Sequence, residues 1–372
     1  GCLGEGTYTI NPTTGEVRFQ PELTFTGIAS GVAVQRQDMN GTTVQANYTP
    51  RVKGVTPTAI PAKSKDIQGA TQTGLPEFKS GKTTINDVEK TVEIDETKAP
   101  KLINPETGEP TDEPVVIPGE GIYTIEDGKV KFQPEPQFTG VGEGVEVQRV
   151  DKNGTPITAK YTPTVVEVIP TGEDVTSVGP KNTPQTGTPK FIGGTANVNG
   201  VDKIVEINTD VPATLEGADK DGKVVVPNEG TYTIDGKTGV VTFTPEPNFV
   251  GEASGVMVKR VDKNGTEVSA KYTPTVLAQT TTKDAESEGP KNTPQEGTPV
   301  FKGDVDNTVI PTFEDGSTAK AVPGEGVYTI DKDGKVTFTP IEDYVGTGSG
   351  VVVVRKDVNG KNIYAKYTPT VR

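Results

Sequence analysis

The 372-residue chain contains no histidine, no tryptophan, a single cysteine and two methionines. Without histidine there is no imidazole general acid–base chemistry, no serine–histidine triad and no His/Cys zinc site. One cysteine cannot staple the chain to itself. Apolar residues are also scarce, at 31%, with 6% aromatics. That supply suits several small cores and not the one large core of a bulky enzyme. No run approaches the roughly 18–20 apolar residues that cross a bilayer as a helix. The first residues, Gly1-Cys2-Leu3-Gly4-Glu5, have neither the basic start nor the apolar stretch of a signal peptide. Cations are outnumbered, 37 Lys and Arg against 51 Asp and Glu, for a net charge of −14. An acidic chain is repelled by nucleic acid and by anionic membrane surfaces, so neither is expected as a partner.

Glycine (44) and proline (31) are abundant, and they punctuate a repeat. A block occurs four times: a G-E-G-type turn with Y-T-I, then V-x-F-x-P, a glycine-led V-x-V-x-R, an Asn-Gly pair, and Y-T-P at the end. The closing tyrosines are Tyr48, Tyr161, Tyr272 and Tyr367, spaced 113, 111 and 95 residues apart. Periods this long exceed solenoid units, so each copy is read as a domain in a string. Expected domains are residues 1–52 (the C-terminal half of a truncated repeat), 53–166, 167–277 and 278–372, the last with a shortened variable half. Phe78, Phe191 and Phe301 precede the next Y-T-I tyrosine by 45, 41 and 27 residues. The shortfall is therefore assigned to a trimmed loop or peripheral hairpin between Phe301 and Tyr328, because connections tolerate deletion and core strands do not. Cys2 is taken as a boundary residue of a piece from a longer array. The half unit 1–52 is expected to be a frayed or partner-dependent sheet, since about 50 residues close a core poorly.

Strand signals dominate. Tyr232-Thr233-Ile234, Val240–Thr244 and Gly255–Val261 are β-branched or aromatic, alternate in polarity and end at Gly, Pro, Asn or Asp. About seven such strands per repeat predict an all-β chain: a tandem, end-to-end array of small antiparallel β-sandwich domains, immunoglobulin-like but without that fold's disulfide and Trp. Asn40-Gly41, Asn153-Gly154, Asn264-Gly265 and Asn359-Gly360 are read as type I′ hairpins, whose two central residues take positive φ. Alternation assigns Val145 and Val147, with their counterparts Val32/Val34, Val256/Val258 and Val351/Val353, to the core. Phe19, Phe132, Phe243 and Phe338 join them, with Phe25, Phe138, Phe249 and Tyr344. The prolines of 167–188 and 279–298 favour extended linkers, part of each adding an edge strand to the following domain.

The residues singled out as structural are Arg36, Arg149, Arg260 and Arg355, the tyrosines Tyr48, Tyr161, Tyr272 and Tyr367, and Phe132, Phe243 and Phe338. Each arginine falls on the core-facing side of its strand. Its stem is expected to cover the core edge while the guanidinium meets a carboxylate such as the G-E-G glutamate or the following aspartate. No catalytic, cofactor or metal residue is assigned, and the chain is not read as an enzyme. Its acidic residues sit in turns without a recurring pair suited to glycoside hydrolysis. The Asp-x-Asn-Gly segments lack the spaced ligands and closing Glu of a calcium loop. Lys160, Lys271 and Lys366 hold the best position for a Lys–Asn crosslink, yet Asn47 occupies it in the first copy.

Together, Y-T-I after G-E-G, V-x-F-x-P, G-V-x-V-x-R-x-D, A-K-Y-T-P-T-V and P-K-N-T-P-Q-x-G-T-P resemble the CshA-type fibril repeat of Gram-positive cell-wall-anchored fibrillar adhesins, over essentially the whole chain. The resemblance implies an extracellular, cell-surface stalk in host attachment or biofilm, projecting a distal adhesive region from the cell wall. Its partners would be neighbouring repeats, with host matrix or other microbes engaged through regions outside this one. The competing reading makes the repeats themselves bind a host protein or glycan, or associate between fibrils. That reading requires an exposed aromatic or apolar patch, for which Tyr364 is the candidate.

Overall fold

The computed structural model describes residues 4–372; Cys2 lies outside them. No helix occurs among the described residues, and the chain is a succession of short strands. It divides into two compact units, one running to Ile169 and including Gly194–Val205, the other combining Pro170–Gly193 with Glu206–Arg372.

In the first unit, the complete repeat is a two-layer sandwich. One sheet has the antiparallel order Val115–Ile117, Gly121–Glu126, Lys129–Pro134, Gln72–Gly74. The other runs Pro110–Thr111, Lys101–Ile103, Val145–Val150, Pro156–Val166, with Gly140–Val141 also on the last strand. Alternation explains the core between them. Val145 and Val147 face inward with Tyr123, Val130, Phe132 and Tyr161, all of them buried, while Glu146 is exposed. Burying each such side chain stabilises the fold by roughly 1.5–3 kcal/mol. The Gly121–Glu126 and Lys129–Pro134 strands join through Asp127-Gly128, at φ 53° and 74°, the left-handed pair that a type I′ turn requires.

The second unit repeats this arrangement twice. The first four-stranded sheet is Val224–Val226, Gly230–Ile234, Val241–Pro245, Gln185–Gly187, and the second is Ala319–Val322, Gly326–Ile330, Val336–Pro340, Gln295–Gly297. Opposite them lie sheets centred on Glu267–Leu277 and Asn362–Val371. The cores are again a buried Tyr/Phe/Tyr set, Tyr232, Phe243, Tyr272 and Tyr328, Phe338, Tyr367. Phe249 and Tyr344 pack against these cores partly buried.

Three features differ from the sequence reading. First, the sandwich is not wholly antiparallel. Ala62–Ile67, Val175–Pro180 and Ala285–Gly289 each lie parallel to the last strand of their repeat. The linker prolines do end in an edge strand, but its partner is about 100 residues away and invisible to local pattern. Second, the Asn-Gly pairs are not type I′ turns. None of Asn40, Asn153, Asn264 or Asn359 has positive φ, whereas Gly41, Gly154, Gly265 and Gly360 do. The loop has three residues and is organised by the preceding aspartate: Asp262 Oδ1 accepts from the N–H groups of Asn264 and Thr266, both at 2.9 Å. This is the three-residue hairpin with a left-handed glycine. Third, strands outnumber the seven expected, because short pairs decorate each sandwich. The hairpin Gly81–Ile85/Val88–Val92 and the hairpin Gly194–Val198/Val201–Val205 each precede a bridge, Ile94 to Asp151 and Ile207 to Asp262. In the last repeat Val300–Gly303 runs straight to the matching bridge, Val305 to Asp357. A hairpin is missing there.

Residues 4–52 form three separate strand pairs: Gly6–Ile10 with Val17–Pro21, Gly27–Ile28 with Arg51–Val52, and Val32–Gln37 with Thr43–Tyr48.

Candidate functional site, a polar latch in each repeat

Each complete repeat buries a hydrogen-bonded chain of polar side chains inside its aromatic core. In the first, Ser64 Oγ donates to Gln72 Oε1 at 2.6 Å, and Gln72 Nε2 donates to the Thr164 carbonyl at 2.9 Å. Tyr161 Oη lies 2.5 Å from Ser64 Oγ. With the serine proton committed to the glutamine, the tyrosine is the donor. The sequence Tyr to Ser to Gln to backbone thus ties the opening segment of the repeat to its last strand. The same chain recurs as Tyr272, Ser177, Gln185 and the Thr275 carbonyl, and as Tyr367, Ser287, Gln295 and the Thr370 carbonyl. Gly74, Gly187 and Gly297, two residues beyond each glutamine, lie against the tyrosine ring, where a Cβ would overlap it. That close approach explains the glycine.

The second tyrosine of each core joins a separate cluster. Glu229 accepts from Ser254 N at 2.6 Å and Ser254 Oγ at 2.5 Å, while Gly255 N donates to Tyr232 Oη. Glu5 with Ser30 and Glu325 with Ser349 repeat the pattern. Repeat 54–165 departs from it, with Glu143 at the serine position. There Tyr123 Oη donates to Glu120 Oε2 at 2.5 Å, and Glu143 N donates to Oε1. The two tyrosines of each core meet edge to face at 6.3–6.4 Å, a favourable aromatic geometry. Burial pushes every one of these hydroxyls above its ordinary value, Tyr328 to about 12 and Tyr123 and Tyr232 further. Burial also raises Tyr161, Tyr272 and Tyr367, opposed by their serine hydrogen bonds. In these clusters the tyrosine hydroxyls stay protonated and bond within their own repeat.

Phe132, Phe243 and Phe338 are fully buried, as are Tyr161, Tyr272 and Tyr367, while Tyr48 is 37% exposed. Arg149, Arg260 and Arg355 lie at the core edge and Arg36 is exposed; Arg149 meets a carboxylate, though not one of the two named, and the others meet carbonyls or a ring. Arg149 Nη1 donates to Glu96 at 2.6 Å. Arg260, buried, reaches the Val211 and Lys237 carbonyls at 3.4 Å. Arg355 lies 5.9 Å from the centre of the Phe301 ring, and Arg36 reaches the Thr13 carbonyl at 3.4 Å. The G-E-G glutamates are taken by serine and tyrosine, and Oδ1 of the following aspartates by the amides of their own turns, while Oδ2 of Asp151 and Asp262 is buried without a partner. Sequence reasoning missed Ser64, Ser177, Ser287 and the three glutamines. Their signal was present as S-x7-Q-x-G-x-P-x-F, of which only the later part had been noticed. Among the described residues no group of three or more acidic or thiol side chains could hold a metal ion. No helix is long and apolar enough to cross a membrane.

A search of curated proteins returned no match. Solved structures similar to this chain include Sidekick-1 immunoglobulin domains 1–4 (10% identity, 96% of this chain and 86% of that chain, TM-score 0.31). They also include extracellular domains 3–5 of Drosophila OTK (8%, 84% and 95%, 0.32) and protocadherin gamma B7 cadherin domains 1–4 (11%, 98% and 89%, 0.31). At TM-scores this low the sandwich assignment rests on the sheets described above. The family described as the surface adhesin CshA repetitive domain matches residues 2–52, 54–165, 167–276 and 278–371. Four matches in register span almost the whole polypeptide, each complete one enclosing the same aromatic core, so the chain belongs to the CshA repeat family of surface adhesins.

Proposed function

We propose that these repeats are a structural spacer, a segment of stalk that projects a distal adhesive region from a cell wall, and that each of the three complete family matches bounds one domain. The observation that carries this reading is the threefold recurrence of one self-contained core, each tied internally by its latch. Such domains add length without adding a site. The structural roles of the four arginines and of the core tyrosines and phenylalanines follow from it. The net charge of −14 disfavours collapse of one domain onto another. Binding by the repeats themselves is less supported, because Tyr364, 49% exposed, stands alone on the central strand Asn362–Val371 opposite Val354, without an aromatic neighbour.

Small-angle scattering tests the proposal. Domains in line, each about 36 Å long as set by an 11-residue final strand, give a radius of gyration of about 40 Å. A compact globule of this length gives about 21 Å. A value near the smaller figure refutes the spacer.

A further inference from the structure

The last repeat lacks a hairpin, and the residues around the gap show what the hairpin does elsewhere. In the first unit, the hairpin Gly194–Val198/Val201–Val205 belongs by sequence to repeat 167–276 but packs on the outgoing end of repeat 54–165. Its Val198 and Val205 are buried in one apolar cluster with Ile67 and Val168. Gly194 approaches Ile169 so closely that a Cβ there would overlap its backbone. Beside the cluster, Lys203 Nζ donates to Asp66 Oδ1 at 2.8 Å, with the two side chains 36% and 18% exposed. At this join the acid is on the outgoing end and the base on the incoming repeat.

In the second unit, Val300–Gly303 leads straight into Asp304 without a hairpin, and the join is polar. Asp304 N donates to the Gln279 carbonyl at 3.0 Å, and Gln279 N returns a bond to Asp304 Oδ2 at 2.8 Å. Lys181 Nζ reaches both oxygens of Asp304, at 3.1 and 3.0 Å, with the side chains 15% and 18% exposed. Asn359 Oδ1 accepts from Ala278 N at 2.6 Å, and its Nδ2 donates to the Val276 carbonyl at 3.2 Å. Here the base is on the outgoing end and the acid on the incoming repeat. The sense of the ion pair is reversed.

The two outgoing ends differ at matching positions. Counted from the latch glutamines Gln72 and Gln185, Lys181 stands where repeat 54–165 has Gln68, and Gly179 where it has Asp66. Counted from Tyr161 and Tyr272, Gln279 stands where it has Val168. We infer that the outgoing end of a complete repeat is a docking surface selective for one kind of incoming repeat of this same family. The end formed by Asp66, Ile67 and Val168 takes a repeat whose hairpin brings two valines and a lysine. The end formed by Lys181 and Gln279 takes a hairpin-less repeat with an aspartate just before its bridge. Exchanging the partners sets Asp66 beside Asp304, or Lys203 beside Lys181, and leaves apolar side chains against polar ones. Like charges meeting in a partly dry site are penalised strongly, so repulsion rejects the wrong neighbour as attraction holds the right one. The order of repeats along the chain is thereby written into their joins. This rests on reading the repeats as serial modules, but it is measured at single amides, so its failure is distinct from a compact scattering result.

Native-state hydrogen exchange on the intact 372-residue chain tests the inference. Lys203→Glu sets a like charge against Asp66 and should lower protection of the amides in Gly194–Val205 roughly tenfold, a loss of about 1.4 kcal/mol. The neutral Lys203→Gln should lower it less. Adding Asp66→Lys to Lys203→Glu rebuilds the pair in the opposite sense and should restore protection to within about threefold of the parent. At the other join, Lys181→Glu should lower protection of Gln279 roughly tenfold, again more than Lys181→Gln, and leave Gly194–Val205 unchanged. Protection in the core strands Val241–Pro245 and Gly326–Ile330 should stay at the parent level in every variant. Equal effects of the glutamine and glutamate variants, no restoration by the reversed pair, or losses spreading into those core strands would each overturn the proposal.

Discussion

Replacing Ser177 by alanine should cost more than replacing the larger Tyr272 by phenylalanine. Ser177 is the middle of its latch, accepting from Tyr272 Oη at 2.5 Å and donating to Gln185 Oε1 at 2.6 Å. Ser177→Ala therefore strands a buried phenol donor and a buried amide acceptor at once, with Tyr272 at 0% and Gln185 at 7% exposure. A buried group left without a partner costs about 1–3 kcal/mol. The two together, partly relieved by local adjustment, put the loss at about 2–4 kcal/mol. Tyr272→Phe leaves the serine–glutamine bond intact and removes only one donor, so about 1 kcal/mol is expected. Because the two residues share a bond, the double variant should lose less than the sum. A chain of several domains has no single unfolding free energy, so the assay is native-state hydrogen exchange of the amides in Val241–Pro245 and Glu267–Leu277. Protection there should fall roughly 30- to 700-fold for Ser177→Ala and about fivefold for Tyr272→Phe. Protection in Gly326–Ile330 should not change. If Ser177→Ala proves the milder variant, or the effects simply add, the latch is not a connected chain.

Two further outcomes follow from charge. The six core tyrosines of the complete repeats have hydroxyls raised in the fold. The folded state thus keeps protons that the unfolded chain loses above pH about 10. Their contribution is intact below that pH and falls as pH rises beyond it, so phenolate absorbance near 295 nm should show these six ionising together with loss of β-sheet circular dichroism; a smooth titration of all ten tyrosines in a folded chain would contradict this. In the second unit, Asp304 is pushed up by burial but is carried below its ordinary value by bonds from Gln279 N–H and the Lys181 ammonium. A lowered carboxylate stabilises above the unfolded value near 4 and loses that contribution as pH falls through the folded value. Acidification from pH 5 to 2 should therefore lower the protection of Gln279 relative to its intrinsic exchange rate at each pH, and Asp304→Asn should show the lowered protection already at pH 5 with little further change.

The repeat, its strands and the inward-facing residues were legible because alternation and turn residues are local signals. Val147, Val258 and Val353 could be placed by their neighbours alone. The parallel strands were not legible as such, since Val175–Pro180 lies in a proline-rich stretch whose pairing depends on a strand about 100 residues later. The latch was hidden for a related reason. Ser177 and Gln185 are polar residues between prolines, a pattern read as solvated linker, and only the tertiary fold buries them. The arginine partners differ for another reason: the G-E-G glutamates are engaged by serine or tyrosine and the following aspartates by their own turns, and Arg149 pairs with Glu96, distant in sequence. The Asn-Gly turns failed because the aspartate two residues earlier, and not the asparagine, organises the loop.

The central claim is that three complete repeats each close an independent core within one polypeptide. Pulling single molecules from their ends measures this directly. The account predicts three separate unfolding events, two lengthening the chain by about 360 Å and one, from the 95-residue spacing of the last repeat, by about 300 Å, as extended chain of about 3.6 Å per residue minus the folded length. One concerted event releasing the whole chain would contradict it.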